Sequence, residues 1–211
     1  MSSTEYQVDR RELHFVVNET LQAGKLCEFP DFAEFDEEMF TMIINEASTF
    51  AEQVLAPLNV NGDRQGCRIE NGAVVTPDGF TDAWKQLGEG GWLSMSLPPE
   101  FGGQGIPEVI AVIGKETQLA ANQGFTIGAS LTTGAANLIY TFGSDVQKNE
   151  FCQNMFSGKW AGTMCLTEPH AGSAVGDVIT SATKQEEGHY LIKGTKQFIT
   201  CLLYTSDAAD E

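Results

Sequence analysis

One stretch of ten residues, 164–173, constrains what this chain can fold into and bind more than any other. It reads Met-Cys-Leu-Thr-Glu-Pro-His-Ala-Gly-Ser, an apolar run that leads into a turn. Pro169 and Gly172 force that turn, because proline lacks a backbone N–H and glycine adopts conformations that other residues avoid. A second stretch, 193–200, reads Lys-Gly-Thr-Lys-Gln-Phe-Ile-Thr. Strands of this kind suit a flat, hydrogen-bonding ring and a phosphate, although any buried strand that ends in a turn has the same pattern.

The chain carries a large negative charge. Its 211 residues include 12 lysines and arginines against 29 aspartates and glutamates, for a formal net charge of −17. Proteins that bind nucleic acids neutralise phosphates with basic side chains, so this balance argues against nucleic-acid binding. A polyanionic ligand would need a local basic site, or backbone donors along its path, to overcome the overall field. The alternative is that the acids form solvated helix faces with no role in binding.

Composition also bears on the compartment. No apolar run approaches the roughly 20 residues that span a bilayer. Residues 1–12 resemble neither a secretory signal nor an Arg-rich mitochondrial presequence, so we expect a cytoplasmic protein. The cysteines are Cys27, Cys67, Cys152, Cys165 and Cys201. Their odd number and lack of C-x-x-C spacing predict reduced thiols, not disulfides or a metal site. Cys165, within the apolar run, is expected to be a small buried hydrophobe.

Residues before Gly158 have the periodicity of helices. Apolar side chains predict an amphipathic helix over 8–23 and a longer one that begins after Asp36 and ends at Pro57. Residues 59–79 are rich in turn signals. Further helices are predicted over 80–87, 110–119, 125–140 and from 144 to about 156.

The pattern changes at Gly158. Strands are predicted over 160–166, 178–184, 190–193 and 196–200. Gly188 and Gly194 are expected at the turns between them. The sequence therefore predicts an α+β fold, in which an all-α domain precedes an antiparallel sheet.

Three motifs resemble those of a known family. Met-Cys-Leu-Thr-Glu-Pro-x-Ala-Gly-Ser at 164–173 and Gly-Thr-Lys-Gln-Phe-Ile-Thr at 194–200 resemble the paired flavin signatures of the acyl-CoA dehydrogenases. Leu-Pro-Pro-Glu-Phe-Gly-Gly-Gln-Gly at 97–105 resembles the upstream Pro-Glu-x-Gly-Gly-x-Gly segment of that family. The motifs follow the family's order, and the resemblance covers roughly residues 30–200. The N-terminal segment and residues 55–67 most resemble the methylthiopropanoyl-CoA dehydrogenase-like branch.

The resemblance implies a helical N-terminal domain, a middle β-barrel domain and a C-terminal four-helix domain. On this plan residues 1–30 are an N-terminal extension helix, 31–158 the helical domain and 159–200 a partial β domain. The C-terminal helical bundle is missing from this sequence, and the fragment would be inactive alone. The tail, 201–211, departs from the family's continuation and resembles translated read-through of a sequencing adaptor.

The resemblance also implies the chemistry. In this family a base removes the proton α to the thioester carbonyl of an acyl-CoA while a hydride leaves the β carbon for N5 of FAD. The cofactor-binding residues carried over by position are Met164, Leu166, Thr167, Gly172, Ser173, Phe198, Ile199 and Thr200.

Individual roles follow from the same resemblance. Thr167, with the backbone around it, would contact the flavin ring. Phe198 stands where an aromatic side chain covers the ring, and Thr200 would donate near N5. Gly172 and Ser173 would meet the pyrophosphate or the thioester arm of the substrate, so Ser173 is also a substrate-binding candidate.

No catalytic residue is assigned in this sequence. The family's base is a glutamate of the C-terminal domain, and no glutamate here matches it. Glu168 is expected to bond to nearby backbone, and His170 to be exposed. Ala174 stands where the family commonly has an aspartate after Gly-Ser, which makes the assignment around Ser173 less secure than that at Thr167.

The implied partners are an acyl-CoA substrate and an electron-transfer flavoprotein as acceptor, and the family is usually homo-oligomeric. Two other functions stay open at this point. An acyl-CoA oxidase shares the flavin chemistry and differs in the access of oxygen. A non-catalytic helical module for binding or assembly would account for the missing base and the unclosed sheet.

Overall fold

The structure is a computed structural model that describes residues 6–200. The chain divides between Gly162 and Thr163 into two compact units, which we call the helical unit and the sheet unit. Helices precede antiparallel strands, so the predicted α+β class is confirmed, and the strands within residues 6–200 form no closed barrel. The domain limits at residues 30 and 158 stay predictions. The tail at 201–211 lies outside the described residues.

The helical unit is built from short and long helices in succession. Its α-helices are α1 (Arg10–Phe15), α2 (Glu37–Phe50), α3 (Ala56–Gln65), α4 (Phe80–Glu89), α5 (Glu108–Ala121), α6 (Gln123–Phe142), α7 (Asp145–Gln147) and α8 (Gln153–Phe156). Single π-helical turns at Val16–Thr20, Ala51–Leu55 and Lys148–Cys152 extend or join them, and 3-10 turns lie at Ala23–Glu28, Pro30–Phe32 and Pro99–Phe101. Across residues 6–200 we find no helix with the length and apolar character that a membrane crossing requires.

A small hairpin interrupts the helices. Strands β1 (Arg68–Glu70) and β2 (Ala73–Val75) pair antiparallel. Asn71 and Gly72 turn the chain with φ angles of 54° and 79°. Positive φ at both central residues is what a two-residue hairpin turn of matching twist needs, and Asn-Gly supplies it at low cost.

Helix α2 begins where the sequence predicts. The carboxylate of Asp36 accepts a hydrogen bond of 2.7 Å from the backbone N–H of Met39, which satisfies one of the free donors at the helix start. Phe40, Ile44 and Ala47 then point from one face of the helix into the core. There they pack with apolar side chains of α5 such as Ile110.

The prediction that this helix ends at Pro57 is wrong. The chain stays helical to Gln65, because the π-helical turn Ala51–Leu55 lies just before the proline. Pro57 therefore stands in the first turn of α3, where its missing N–H costs little and its fixed φ is helical. Residues 59–65, predicted as part of a turn-rich passage, belong to α3 for the same reason.

Asn122 joins α5 and α6 inside the core. It is 2% exposed, and its side-chain oxygen accepts from the N–H of Phe125 at 3.1 Å. Its amide nitrogen donates to the carbonyl of Leu55 at 3.2 Å, at the end of the π-helical turn. A buried amide is stable only when its polar atoms are paired. Asn122 thus both caps α6 and holds it to the segment before α3.

The glycine-rich loop at 97–105 passes close to other backbone. The N–H groups of Gly103 and Gly105 donate to the carbonyls of Pro98 and Leu97 at 3.1 and 3.0 Å. A β carbon on Gly103 would collide with the carbonyl group of Leu97, so this position requires glycine. The loop is therefore a compact, internally bonded turn that leads into α5.

The sheet unit contains one hairpin within the described residues, β3 (Ser181–Lys184) paired antiparallel with β4 (Tyr190–Lys193). Gly188, at φ 84°, lies in its turn as predicted. The strands predicted at 160–166 and 196–200 are wrong. A strand needs a ladder of backbone bonds. Within residues 6–200 the backbones of these two segments form no hydrogen bond with each other, and the nearest one joins the N–H of Gln197 to the carbonyl of Thr167, just beyond the first segment, at 2.9 Å.

The cysteines of the described region are free thiols. Cys152 is fully buried, and burial raises its pKa. Cys165 is exposed, so the prediction that it is a small buried hydrophobe is wrong. The reason is that its segment runs along the surface and not inside a sheet.

An ion pair fastens the N-terminal segment to α2 and the turn that follows it. The guanidinium of Arg10 donates to both carboxylate oxygens of Glu52, at 2.9 and 2.8 Å. The backbone N–H of Val8 donates to the same carboxylate at 2.8 Å. The Arg10 hydrogen bond is the main cause of the lowered pKa of Glu52, whose side chain is 20% exposed. Bidentate, charge-assisted bonds of this kind are stronger than ordinary surface ion pairs.

We expect Glu52→Gln to lower the free energy of unfolding by about 1.5 kcal/mol, because it removes a charge-assisted pair at a partly buried site. Glu89→Gln is the matched control, because Oε1 of Glu89 lies 3.7 Å from Nζ of Lys85 and both side chains are mostly exposed. It should lower the free energy of unfolding by less than about 0.5 kcal/mol. Urea unfolding followed by circular dichroism measures both. Equal values for the two variants would show that the Arg10–Glu52 pair does not stabilise the helical unit.

Candidate functional site

The two signature segments of the sequence, 164–173 and 193–200, lie side by side in the sheet unit. Besides the bond from Gln197 to Thr167, the hydroxyl of Thr163 donates to the carbonyl of Thr200 at 2.7 Å. The ammonium of Lys196 donates to the carbonyl of Leu166 at 3.0 Å. Residues about 30 positions apart in the sequence therefore form one surface.

Apolar side chains on this surface are open to solvent. Met164 and Leu166 are 44% and 45% exposed, and Phe198 is 84% exposed. Ile199 is half-buried, and Thr167 lies half-buried between Leu166 and the turn. Large exposed apolar groups on neighbouring segments are typical of a binding surface.

At Leu166 and Thr167 the free backbone groups of this surface are donors. The carbonyls of Leu166 and Thr167 already accept bonds from the neighbouring segment. Within residues 6–200 their N–H groups have no hydrogen-bond partner, and neither have the hydroxyls of Thr167 and Thr200. Such an edge can bind a planar molecule that carries hydrogen-bond acceptors, while the apolar side chains contact its faces.

Phe198 has a strained backbone. Its φ is 55°, in the left-handed region that bulky side chains rarely adopt. Strain of this kind costs of order 1–2 kcal/mol and is concentrated at functional sites. The sequence signalled the aromatic residue but not its conformation, because nothing local requires a phenylalanine to leave the extended region.

Glu168 lies between this surface and the turn at Pro169, and at 1% exposure it is the most buried carboxylate among residues 163–200. Its Oε2 accepts from the N–H of Ile179 at 2.9 Å. Its Oε1 accepts from Lys196 Nζ at 2.8 Å, from the N–H of Thr180 at 3.0 Å and from the Thr180 hydroxyl. The Lys196 hydrogen bond is the first of the causes that lower its pKa to about 2.

This environment makes Glu168 a structural carboxylate. The prediction that it bonds to nearby backbone is confirmed by the Ile179 and Thr180 bonds. A group with a pKa near 2 has little affinity for a proton at neutral pH, so it is poorly suited to act as a general base. His170, predicted to be exposed, is 45% exposed, with Nε2 3.5 Å from Oε2 of Glu168.

The turn after Glu168 carries the remaining predicted residues. Glu168 and Ala171 exchange backbone bonds of 3.0 and 3.1 Å around Pro169, and Ala171 is buried. Gly172 and Ser173 follow on the exposed side of this turn. The carbonyl of Ser173 accepts from the N–H of Val175 at 3.0 Å. The structure thus places Gly172 and Ser173 at the exposed end of the first signature segment, after the turn that follows the buried Glu168.

Sequence reasoning missed the role of Lys196. It belongs to the second motif, but its two acceptors, the Glu168 carboxylate and the Leu166 carbonyl, are 28 and 30 residues away. No local spacing pairs residues so far apart. The one available signal was a lysine next to the apolar pair Phe198–Ile199 within the signature segment, since an ammonium that is not fully exposed needs acceptors.

We expect acid to loosen the contacts of Glu168. Its folded pKa, about 2, lies below the ordinary value of 4.5. The stability that it contributes is therefore fully present above pH 4.5 and is lost as the pH falls from 4.5 towards 2. Hydrogen exchange at the amides of Ile179 and Thr180, corrected for intrinsic rates, should accelerate across this window. Glu168→Gln, which cannot titrate, should show no such step. The same acceleration in that variant would contradict the assignment.

The comparisons with known proteins agree with the motifs. The family model described as acyl-CoA dehydrogenase, N-terminal domain, matches residues 37–159, more than half of the chain. The 3-methylmercaptopropionyl-CoA dehydrogenase of Ruegeria pomeroyi is 36% identical over 195 residues, which cover 92% of this chain and 33% of that protein. The chain spans about a third of the length of the curated relatives that it matches.

Solved structures show the same likeness. An acyl-CoA dehydrogenase complexed with FAD from Bacillus anthracis has a TM-score of 0.63 and 28% identity, and the match covers 79% of this chain and 27% of that one. A structure described as the electron transferring flavoprotein of Acidaminococcus fermentans has a TM-score of 0.64 and 27% identity, and covers 78% of this chain and 40% of that one. The match of the family model to residues 37–159 confirms the predicted resemblance: the chain belongs to the acyl-CoA dehydrogenase family.

Proposed function

We propose that this chain is the helical domain and the first part of the β domain of an FAD-dependent acyl-CoA dehydrogenase. The observation that carries the proposal is the contact between the two signature segments, at Thr167 and Gln197, in a chain of that family. The enzyme would remove hydrogen from the α and β carbons of an acyl-CoA thioester. The relative from R. pomeroyi supports a substrate of the methylthiopropanoyl-CoA kind.

The surface formed by the two signature segments fits a flavin. A flavin ring is flat and carries carbonyl oxygens and ring nitrogens that accept hydrogen bonds. The N–H groups of Leu166 and Thr167 and the Thr167 hydroxyl supply donors, while Met164 and Phe198 supply apolar contact. When bound, FAD supplies the hydride acceptor.

Other residues of the chain would hold the ends of the cofactor and substrate. The hydroxyl of Thr200 would donate near the ring nitrogen that accepts the hydride, and Ile199 would complete that side. Gly172 and Ser173, exposed beyond the turn, can approach a pyrophosphate or a thioester arm with their backbone N–H groups. Ser173 can add its hydroxyl to either ligand.

The proton transfer requires a base that we do not assign to residues 6–200. Glu168 is held ionised by Lys196, Ile179 and Thr180, and its two oxygens already accept four hydrogen bonds from them. We therefore propose that a glutamate elsewhere in the complete protein abstracts the α proton, after donors polarise the thioester carbonyl. The part of the enzyme described here orients the cofactor and excludes water from one side.

The charge around the proposed site opposes an anionic ligand less than the net charge of the whole chain suggests. Residues 163–200 contain three lysines against four carboxylates, whereas the whole chain has a net charge of −17. Residues 163–200, which carry the proposed site, therefore have a formal net charge of only −1. A polyanionic CoA ester is therefore repelled less strongly at this site than the net charge of the whole chain suggests.

We further propose an electron-transfer flavoprotein as the electron acceptor, a homo-oligomeric assembly and a cytoplasmic location. The likeness to the A. fermentans structure supports the acceptor. The free thiols of Cys27, Cys67 and Cys165 support a reducing compartment.

The proposal is tested on the complete protein that contains this segment. We expect it to purify with flavin absorbance, which bleaches under anaerobic conditions when an acyl-CoA is added, and to reduce an artificial electron-accepting dye. Comparable peroxide formation in air would assign the protein to the oxidases instead. A protein that neither contains flavin nor binds added FAD would overturn the proposal.

A single hydroxyl tests the site. Thr167→Val keeps the shape of the side chain and removes one neutral hydrogen bond, so the Kd for FAD should rise about fivefold. Thr195→Val is the matched control, because Thr195 is exposed and makes no side-chain hydrogen bond within the described part of the chain. Equal Kd values for both variants, measured by flavin fluorescence, would exclude Thr167 from the site.

A further inference from the structure

Lys196 and Glu168 form an ion pair beside the residues that we propose to bind the flavin. Nζ of Lys196 is 2.8 Å from Oε1 of Glu168 and 3.0 Å from the carbonyl oxygen of Leu166. We infer that the two residues are a positioning pair, which keeps the backbone donors of Leu166 and Thr167 directed at the cofactor and sets the charge beside it. The inference rests on the proposed function.

The pair controls which backbone groups are available. An extended segment has equal numbers of donors and acceptors, and without its neighbour it would offer both. Here Lys196 occupies the carbonyl of Leu166, and the next residue, Gln197, occupies that of Thr167. The acceptors of these two residues are consumed, and their N–H groups remain. The free N–H groups can therefore donate to a ligand whose edge carries hydrogen-bond acceptors.

The carboxylate anchors the lysine to a third segment. Ile179 and Thr180, which precede β3, hold both oxygens of Glu168 by their N–H groups. Lys196 is therefore fixed relative to the β3–β4 hairpin, and its side chain is only 22% exposed. Since 163–167 and 196–200 form no strand ladder, these side-chain bonds act together with the Gln197–Thr167 backbone bond to align the two segments.

The pair also balances two charges where solvent screens them little. Loss of either partner leaves the other uncompensated. Charge near a flavin ring changes its reduction potential, because two-electron reduction adds negative charge to the ring. An uncompensated carboxylate at position 168 disfavours that charge, and an uncompensated ammonium at position 196 favours it. The two single variants must therefore change the potential in opposite directions.

The experiment measures the flavin midpoint potential in the complete, FAD-loaded protein above neutral pH, where Glu168 stays ionised. We expect Lys196→Met to lower the potential, Glu168→Gln to raise it, and the double variant to return it towards the wild-type value. We also expect Lys196→Met to raise the Kd for FAD about tenfold, because one charge-assisted hydrogen bond to the site is lost. Without FAD, the amide of Gln197 should exchange faster in both single variants.

Two further variants separate positioning from damage to the fold. Lys193→Met removes the same charge from an exposed residue of β4 and should leave the potential unchanged. Lys196→Arg keeps the charge and should stay closer to the wild type than Lys196→Met does. If Glu168→Gln does not fold, the comparison of Lys196→Met with Lys196→Arg still shows whether the charge at position 196 sets the flavin potential. Equal potentials in those two variants would overturn the inference.

Failure of the inference differs from failure of the proposed function. A flavin-loaded wild type whose variants share one potential, or move it in the same direction, would overturn the positioning pair alone. A wild-type protein that binds no FAD would overturn the proposed function and the pair together.

Discussion

The sheet unit depends on one buried carboxylate, that of Glu168. It accepts bonds from Lys196, Ile179 and Thr180, so a single side chain joins three segments of the unit. Burying a charge is costly unless it is paired and hydrogen-bonded, and here both conditions are met. Residues 163–200 contain little apolar core of their own, since the side chains of β3 and β4 are exposed along their whole length. Polar contacts therefore carry more of their organisation than they do in the helical unit.

Apolar packing stabilises the helical unit, and buried polar side chains such as Asn122 pair with backbone N–H and carbonyl groups at the helix ends. Phe40 and Ile44 of α2 lie in one cluster with Ile110 of α5, and all three are at most 1% exposed. Where the helical path changes, Asn122 supplies both a cap and a link to the carbonyl of Leu55. Packing of this kind tolerates few changes of volume, whereas the exposed signature surface can change its side chains without disturbing a core.

The candidate site divides into a part that the sequence predicted and a part that it could not. Both signature segments, the exposed His170 and the backbone bonding of Glu168 were predictable, because turn chemistry and motif order are local. The ion pair with Lys196, the positive φ of Phe198 and the exposure of Cys165 were not. Each of these depends on which segments lie next to one another, and pairing over nearly 30 residues leaves no periodic trace.

By itself the sequence determined the family, the change from helices to antiparallel strands, and the helix starts at Asp36 and Ser144, because motifs, hydrophobic periodicity and capping are short-range signals. Tertiary structure decided the rest. The helix continues through Pro57 because a π-helical turn brings the proline to a permitted position. The segment 160–166 is not a strand because a strand exists only where a neighbouring chain satisfies its backbone groups. That condition is set by contacts between distant residues and not by the composition of the segment.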